Sequence, residues 1–206
     1  MRIAIVGGTG SFGRALAERV TRLGEAVVIG SRDAGRANEI AAVLGVDGAT
    51  NEQAVANADL VILAVRSNAA LDTVRELAPA IGKTPLLCVA SALEFTENGI
   101  LPGQHGYSLA EEIERIVEGP VAAGLQSLAA AHLTSPDAPE EDAFICGAPS
   151  VAKDLSLDLA ARLVKGRAID AGPLANARAL EGMTAVILNV NKRYKAHACI
   201  RLTGLE

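Results

Sequence analysis

The sequence predicts an α/β fold: a doubly wound, mainly parallel sheet with a small C-terminal helical part. Three observations carry this expectation. Short apolar runs alternate with amphipathic helical patterns over the first 165 residues, as in a parallel sheet covered on both faces. The first run enters a glycine-rich turn that opens a helix-spaced set of apolar side chains. Beyond Asp170 the alternation gives way to one long helical pattern.

Strands are expected at Arg2–Val6, Ala26–Gly30, Leu60–Val65, Leu86–Ala90, Val121–Leu125, Phe144–Gly147 and Ala168–Asp170. Between the first two, Phe12, Leu16, Val20 and Leu23 fall at helical spacing and Gly24 supplies a stop, so the chain opens with a βαβ unit. Further helices are expected at Ala37–Leu44, Asn68–Leu77 and Ser108–Val117, the last opening on Ser108 and Glu111 as a capping box. The stretch TSPDAPEEDA, Thr134 to Ala143, is rich in proline and acids and is expected to be a solvated loop. After it, Pro173 or its neighbours start a helix whose middle, Met183 to Val190, is apolar nearly all round. Such a helix needs cover on more than one side, either as a core helix under the sheet or as one shared between subunits.

With 206 residues, half of them hydrophobic, the chain can bury a core as one domain with a small appendage, divided at 1–150 and 151–206. A net charge of -5 argues against a nucleic-acid partner. Cys88, Cys146 and Cys199 are odd in number and lie in apolar runs, which reads as buried thiols in a reducing compartment. His105, His132 and His197 stand apart in sequence and no CxxC occurs, so no metal site is expected. The apolar stretches are short and no cationic leader precedes the first strand, which points to a cytoplasmic protein with no membrane partner.

Gly8-Thr9-Gly10-Ser11-Phe12-Gly13 fits GxGxxG between a strand and a helix, the context in which that pattern marks a Rossmann-type dinucleotide site. Gly8 is expected to make the tight turn, Gly10 to admit a pyrophosphate and Gly13 to let helix and strand pack closely. At the end of the second strand, where NAD enzymes place a ribose-binding acid, stands Ser31-Arg32, with Arg36 four residues on. An arginine fork and a hydroxyl suit a 2′-phosphate, so the nucleotide is expected to be NADP(H), with Asp33 capping the next helix. Ala64, Val65 and Arg66, ending the third strand run, complete the expected cofactor-binding set. No Ser-Tyr-Lys set and no histidine beside an acid supplies a proton donor. No obligatory catalytic side chain is therefore expected, as when hydride passes directly between two cofactor rings.

The stretches MRIAIVGGTGSFGRALA, VVIGSRDAGRA and DAGPLANARALEGMTAVILNVNKRY together resemble the NADPH-dependent reductases of the 8-hydroxy-5-deazaflavin coenzyme F-420 (F420), over essentially the whole chain. The resemblance implies Thr9, Ser31, Arg32 and the basic residue at 36 as NADP contacts, and F420 as co-substrate. It further implies hydride passing between nicotinamide C4 and deazaflavin C5, with residues 151–206 completing the deazaflavin pocket in a homodimer of small-molecule redox chemistry. Where members of that family read LHTIPA, this chain reads LQSLAA, so Gln126 replaces a histidine and Leu128 an isoleucine; ESLTP becomes EGMTA, keeping Thr184. Gln126, Leu128, Arg178 and Thr184 are the expected deazaflavin pocket, with Asn189 a further polar candidate. The basic run Asn191 to Lys195 either meets the coenzyme tail or, as helix C-termini favour, complements the dipole. The residues leave open an NADPH-dependent flavin or ferric reductase, an NADP-sensing protein, and a reductase of small imines or 3-oxo acids.

Overall fold

The computed structural model describes residues 1–103 and 106–205; His105, read above as an isolated histidine, lies outside them. The chain begins β1 (Arg2–Val6), α1 (Ser11–Arg22), β2 (Ala26–Ser31), α2 (Ala34–Leu44), β3 (Asp47–Thr50) and α3 (Asn51–Val55). It continues through β4 (Leu60–Leu63), α4 (Ser67–Ile81), β5 (Leu86–Cys88), the hairpin β6 (Leu93–Thr96) and β7 (Gly99–Pro102), and α5 (Leu109–Glu114). Then come β8 (Val121–Gly124), α6 (Ala130–Leu133), β9 (Ala143–Gly147), α7 (Val151–Leu163), β10 (Ala168–Asp170), a 3-10 turn at Leu174–Asn176 and α8 (Ala177–Tyr194).

One eight-stranded sheet has the order β10-β9-β8-β5-β4-β1-β2-β3. Only the β8–β9 pairing is antiparallel; every other pairing in this sheet is parallel. Side chains alternate across β1, so Ile3 and Ile5 join the core beneath α1, α2 and α7 while Ala4 and Val6 join that beneath α4 and α5. The strand order reverses beside β1, which pairs with β2 on one side and β4 on the other. A crevice outside the carboxyl ends of the strands at such a reversal is where open α/β sheets bind ligands.

All seven expected strands occur, some trimmed at their carboxyl ends, and the capping box at α5 forms in both directions. Sequence patterning missed β3, α3, the β6–β7 hairpin, α6 and α7. α3 spans five residues, too few for a readable period, and is held by a Thr50–Gln53 capping box. Within one chain α8 is covered on one side only. It buries Ala177, Leu180, Glu181 and Ala185 against the sheet end and the hairpin, but Val186 is 60% exposed.

Three further expectations need correction. The stretch Thr134 to Ala143 is a loop only as far as Asp142, and Glu141, Asp142 and Ala143 are buried at its end. Cys88 and Cys146 are buried, and burial pushes both thiols up to about 12, but Cys199 is exposed. His132 does not stand alone: its Nδ1 lies 3.1 Å from Glu141 Oε1, and its ring meets that of His197 edge-on at 6.3 Å. Among the described residues, no helix is long and apolar enough to cross a membrane.

Asp142 accounts for the burial at the end of that loop. Its carboxylate accepts from Arg167 N at 2.9 Å, Arg167 Nη2 at 2.7 Å and Leu202 N at 2.8 Å, while its own N–H donates to Ile200 O at 3.0 Å. A carboxylate inside an apolar region is stable only when so paired, and this one clamps the C-terminal tail onto the start of β10. The Arg167 guanidinium is the main cause that lowers the carboxyl from 3.8 to about 2. A depressed folded-state pKa contributes stability that is complete above the unfolded value and is lost as pH falls toward about 2. Asp142→Asn is expected to remove about 2 kcal/mol at neutral pH. It should also flatten the acid decline between about pH 4 and pH 2. Denaturant unfolding at neutral and acid pH measures both, and an unchanged acid limb would contradict the assignment.

Candidate functional site

The nucleotide end begins where β1 stops. Gly7, not Gly8, makes the tight turn: it takes φ +83 and packs so closely on Ala64 and Val65 that a Cβ would lie 2.8 Å from Val65 Cγ1. Gly13 allows the close helix–strand packing expected of it, since a Cβ there would stand 2.5 Å from Gly7 O. Gly10 is the N-cap of α1, without a side-chain cap and with no acid in the first turn. The leading N–H groups of α1 therefore face outward with the positive end of the helix dipole, an arrangement that takes an anion such as a pyrophosphate. Thr9 is half-buried on this turn, Ser11 is exposed, and Phe12 lines the adjoining cleft.

The end of β2 is basic and open. Ser31 is buried and its Oγ accepts from Asp33 N at 3.2 Å, while Asp33 caps α2 by accepting from Arg36 N at 3.2 Å, as its sequence position predicts. Arg32 and Arg36 are exposed. The acid is thus spent on the helix end, and two exposed guanidinium groups remain beside it, able to take an anion.

Next to the glycine turn opens a cleft of about 1000 Å³. Phe12, Val65 and Arg66 line it on the side of the glycine turn, and Gln126, Leu128 and Thr184 form another part of its wall. Leu125 takes φ +67 although fully buried, bending the chain after β8 so that Gln126 follows at the cleft. Gln126 is 7% exposed; its Nε2 donates to Cys88 O at 3.3 Å, and its Oε1 has no partner among the described residues. A buried amide oxygen left free beside a cleft is an acceptor available to a ligand N–H.

α8 stitches the walls together. Thr184 Oγ1 donates to Gln126 O at 3.2 Å and lies 3.0 Å from Ser91 Oγ, which must then donate to it. One turn earlier, Glu181 accepts from Ala92 N at 3.2 Å and Leu109 N at 2.9 Å. Burial pushes the Glu181 carboxyl up, opposed by the N–H groups of Ala92, Leu109 and Ala110. Asn189 accepts from Ile100 N at 3.0 Å and donates to Ile100 O at 2.6 Å, fixing the hairpin to the helix.

A family model described as NADP oxidoreductase coenzyme F420-dependent matches residues 2–90. The F420-dependent NADP reductase of Methanothermobacter marburgensis is 34% identical over 222 residues, covering 100% of this chain and 99% of that protein. The F420-dependent NADP reductase of Methanocaldococcus jannaschii is 32% identical over 224 residues, covering 100% of both. The chain belongs to this family. A crystal structure from Arthrobacter sp. FB24, provisionally named an F420 dependent NADP-reductase, agrees in fold with a TM-score of 0.86 at 24% identity over 98% of this chain and 99% of that one.

Within this F420-dependent reductase scaffold the expected residues divide. Phe12, Val65, Arg66, Gln126, Leu128 and Thr184 share one cleft. Arg178 does not: it is exposed, donates to Gly106 O at 3.2 Å and borders a neighbouring cleft with Tyr107 and Glu181. Asn189 is committed to the hairpin. Ser91, Glu181 and His197 were missed. Glu181 did carry a signal, a lone acid one turn before Thr184 on an otherwise apolar stretch; His197 carried none, because only the return of the tail after α8 brings it to the cleft. Glu181→Gln places an amide N–H among main-chain donors and should cost about 1–3 kcal/mol of stability. Nucleotide binding at the glycine turn should survive. Chemical denaturation and a nucleotide titration read the two, and an unchanged midpoint would refute the role given to Glu181.

Proposed function

We infer that the protein is an oxidoreductase transferring hydride between NADP(H) and coenzyme F420. One observation carries the inference beside the family: a single cleft joins the glycine turn to the polar and apolar wall on α8 and the loop after β8. NADPH supplies a hydride at its nicotinamide ring and F420 accepts it at its deazaflavin ring. The protein's own task is to seat two flat rings face to face and keep water from between them.

In this reading the α1 N-terminus and the turn from Gly8 to Gly13 hold the pyrophosphate, and Ser31, Arg32 and Arg36 hold the 2′-phosphate. Ala64, Val65 and Arg66 border the nicotinamide. Gln126 Oε1 accepts from an N–H on the edge of the deazaflavin, Leu128 supplies an apolar wall, and Thr184 fixes the Gln126 backbone. Arg178, in the neighbouring cleft, is left to the anionic tail of the coenzyme. Residues 1–150 then carry the nucleotide half, and within 151–206 it is α8 and the tail that complete the acceptor half. The working unit is taken to be a cytoplasmic homodimer. Val186, Val190 and Tyr194 recur every four residues along α8 and are 60%, 37% and 71% exposed, a stripe that a second copy would cover. Sedimentation at micromolar concentration should give a dimer, and a monomer would remove this part of the proposal.

Arg32→Ala should weaken NADPH binding roughly ten- to a hundredfold, the value of one charge-assisted contact, and leave NADH binding nearly unchanged. Fluorescence titration with both nucleotides decides, and equal losses would return Arg32 to a surface residue.

Among the described residues lining the cleft, only Arg66 and His197 carry ionisable side chains. Hydride transfer by positioning therefore predicts modest rate losses in Gln126→Ala and His197→Ala, and a severe loss in Leu188→Trp, which crowds the half-buried α8 wall. Stopped-flow bleaching of F420 by NADPH, with FMN as the control acceptor, measures them. A loss of about a thousandfold in Gln126→Ala or His197→Ala with NADPH binding intact would assign that side chain a direct chemical part.

A further inference from the structure

On the far side of α6 from the glycine turn, three side chains from three separate segments converge. His132 ends α6, Glu141 ends the loop before β9, and Cys199 lies in the tail after α8; one ligand atom from each falls within 4.8 Å of the others. His132 Nδ1 lies 3.1 Å and 3.2 Å from the two Glu141 carboxylate oxygens. Glu141 is 2% exposed, and no lysine or arginine pairs with it among the described residues. Its described side-chain partners are the His132 ring and the Cys199 thiol, both metal-ligating groups, and a buried carboxylate between two such groups suits a cation.

The convergence is built by bonds outside the cluster. On one side of Cys199, Asn191 Oδ1 accepts from Ala198 N at 2.5 Å; on the other, Ile200 O accepts from Asp142 N at 3.0 Å. The tail is thus held at both neighbours of the cysteine, which fixes the backbone that carries the thiol. His132, Glu141 and Cys199 line one small cleft of about 300 Å³, with room for a water.

We propose that His132, Glu141 and Cys199 form a binding site for a single zinc-type divalent cation, which clips the C-terminal tail to the body of the protein. One imidazole nitrogen, one carboxylate oxygen and one thiolate make a donor set for a borderline-soft ion and a poor one for magnesium or calcium. Tetrahedral ligands bonded at about 2.0–2.3 Å stand less than 4 Å apart, within the spread seen here after small side-chain movements. Water takes the fourth position. Binding forms three protein–metal bonds; Cys199 releases its proton to solvent, and His132 binds as the neutral ring. Partial burial and the Glu141 carboxylate push the Cys199 thiol up. A cation between the two groups reverses that effect.

The experiment uses the full chain, stripped with chelator, desalted and kept reduced, and titrated with Co²⁺. One equivalent should produce a thiolate-to-cobalt charge-transfer absorption that one equivalent of Zn²⁺ bleaches. Cys88 and Cys146 are buried and cannot substitute. Cys199→Ala, an exposed position whose loss should leave the fold intact, should abolish the band. His132→Ala should weaken cobalt binding by roughly tenfold or more. Absence of the band in the parent protein, its persistence in Cys199→Ala, or equal affinity in parent and His132→Ala would each overturn the proposal. The F420 reaction enters none of these readouts, so the site stands or falls apart from the proposed function.

Discussion

A Cβ on Gly13 would stand 2.5 Å from the carbonyl oxygen of Gly7, and the nucleotide end of this fold depends on the absence of that atom. Because it is missing, α1 can start hard against the turn after β1 with its first N–H groups uncapped. The same turn presses on Ala64 and Val65, so the strand on the other side of β1 is placed by the same contact. The sheet reverses its order here, and the crevice opens where main-chain donors already point outward.

The far wall of the cleft follows a different rule. Its walls come from loops after β5 and β8 and from a two-stranded hairpin, none of which would hold its shape alone. α8 supplies the missing constraint through three of its polar side chains. Glu181 grips the backbone at Ala92 and Leu109, Thr184 joins Ser91 to Gln126, and Asn189 holds Ile100. The Leu109 bond is buried and the others are part-buried, and leaving such partners unmade costs stability, which favours this arrangement of the wall. A rigid wall is what a reaction by ring positioning requires.

Charge is distributed to suit. Exposed guanidinium groups stand by the end of β2, while the cleft itself is lined almost wholly by neutral side chains. Buried carboxylates serve structure, with Glu181 holding main-chain N–H groups and Asp142 joining Arg167 and the tail to β10. The tail therefore sits against the cleft with Ala196 and His197 at its edge.

The sequence by itself determined the parallel sheet, the glycine turn that opens α1 and the basic end of β2 with its Asp33 cap. Those features are local: β1, the glycines, and Ser31, Arg32, Asp33 and Arg36 interact with neighbours a few residues away, or repeat with a period that the chain displays. Even there, the positive backbone torsion falls on Gly7, one residue before the Gly8 expected to make the tight turn, and a side chain at Gly7 would meet Ala64 and Val65, contacts that only the packed sheet brings about. Only the tertiary structure decided that Arg178 and Thr184, six residues apart on α8, face different clefts, and that the acidic loop ends buried on Arg167. Only it brought His132, Glu141 and Cys199 together from positions up to 67 residues apart. Contacts of that kind come from how separate elements pack, and neither spacing nor composition along the chain records them.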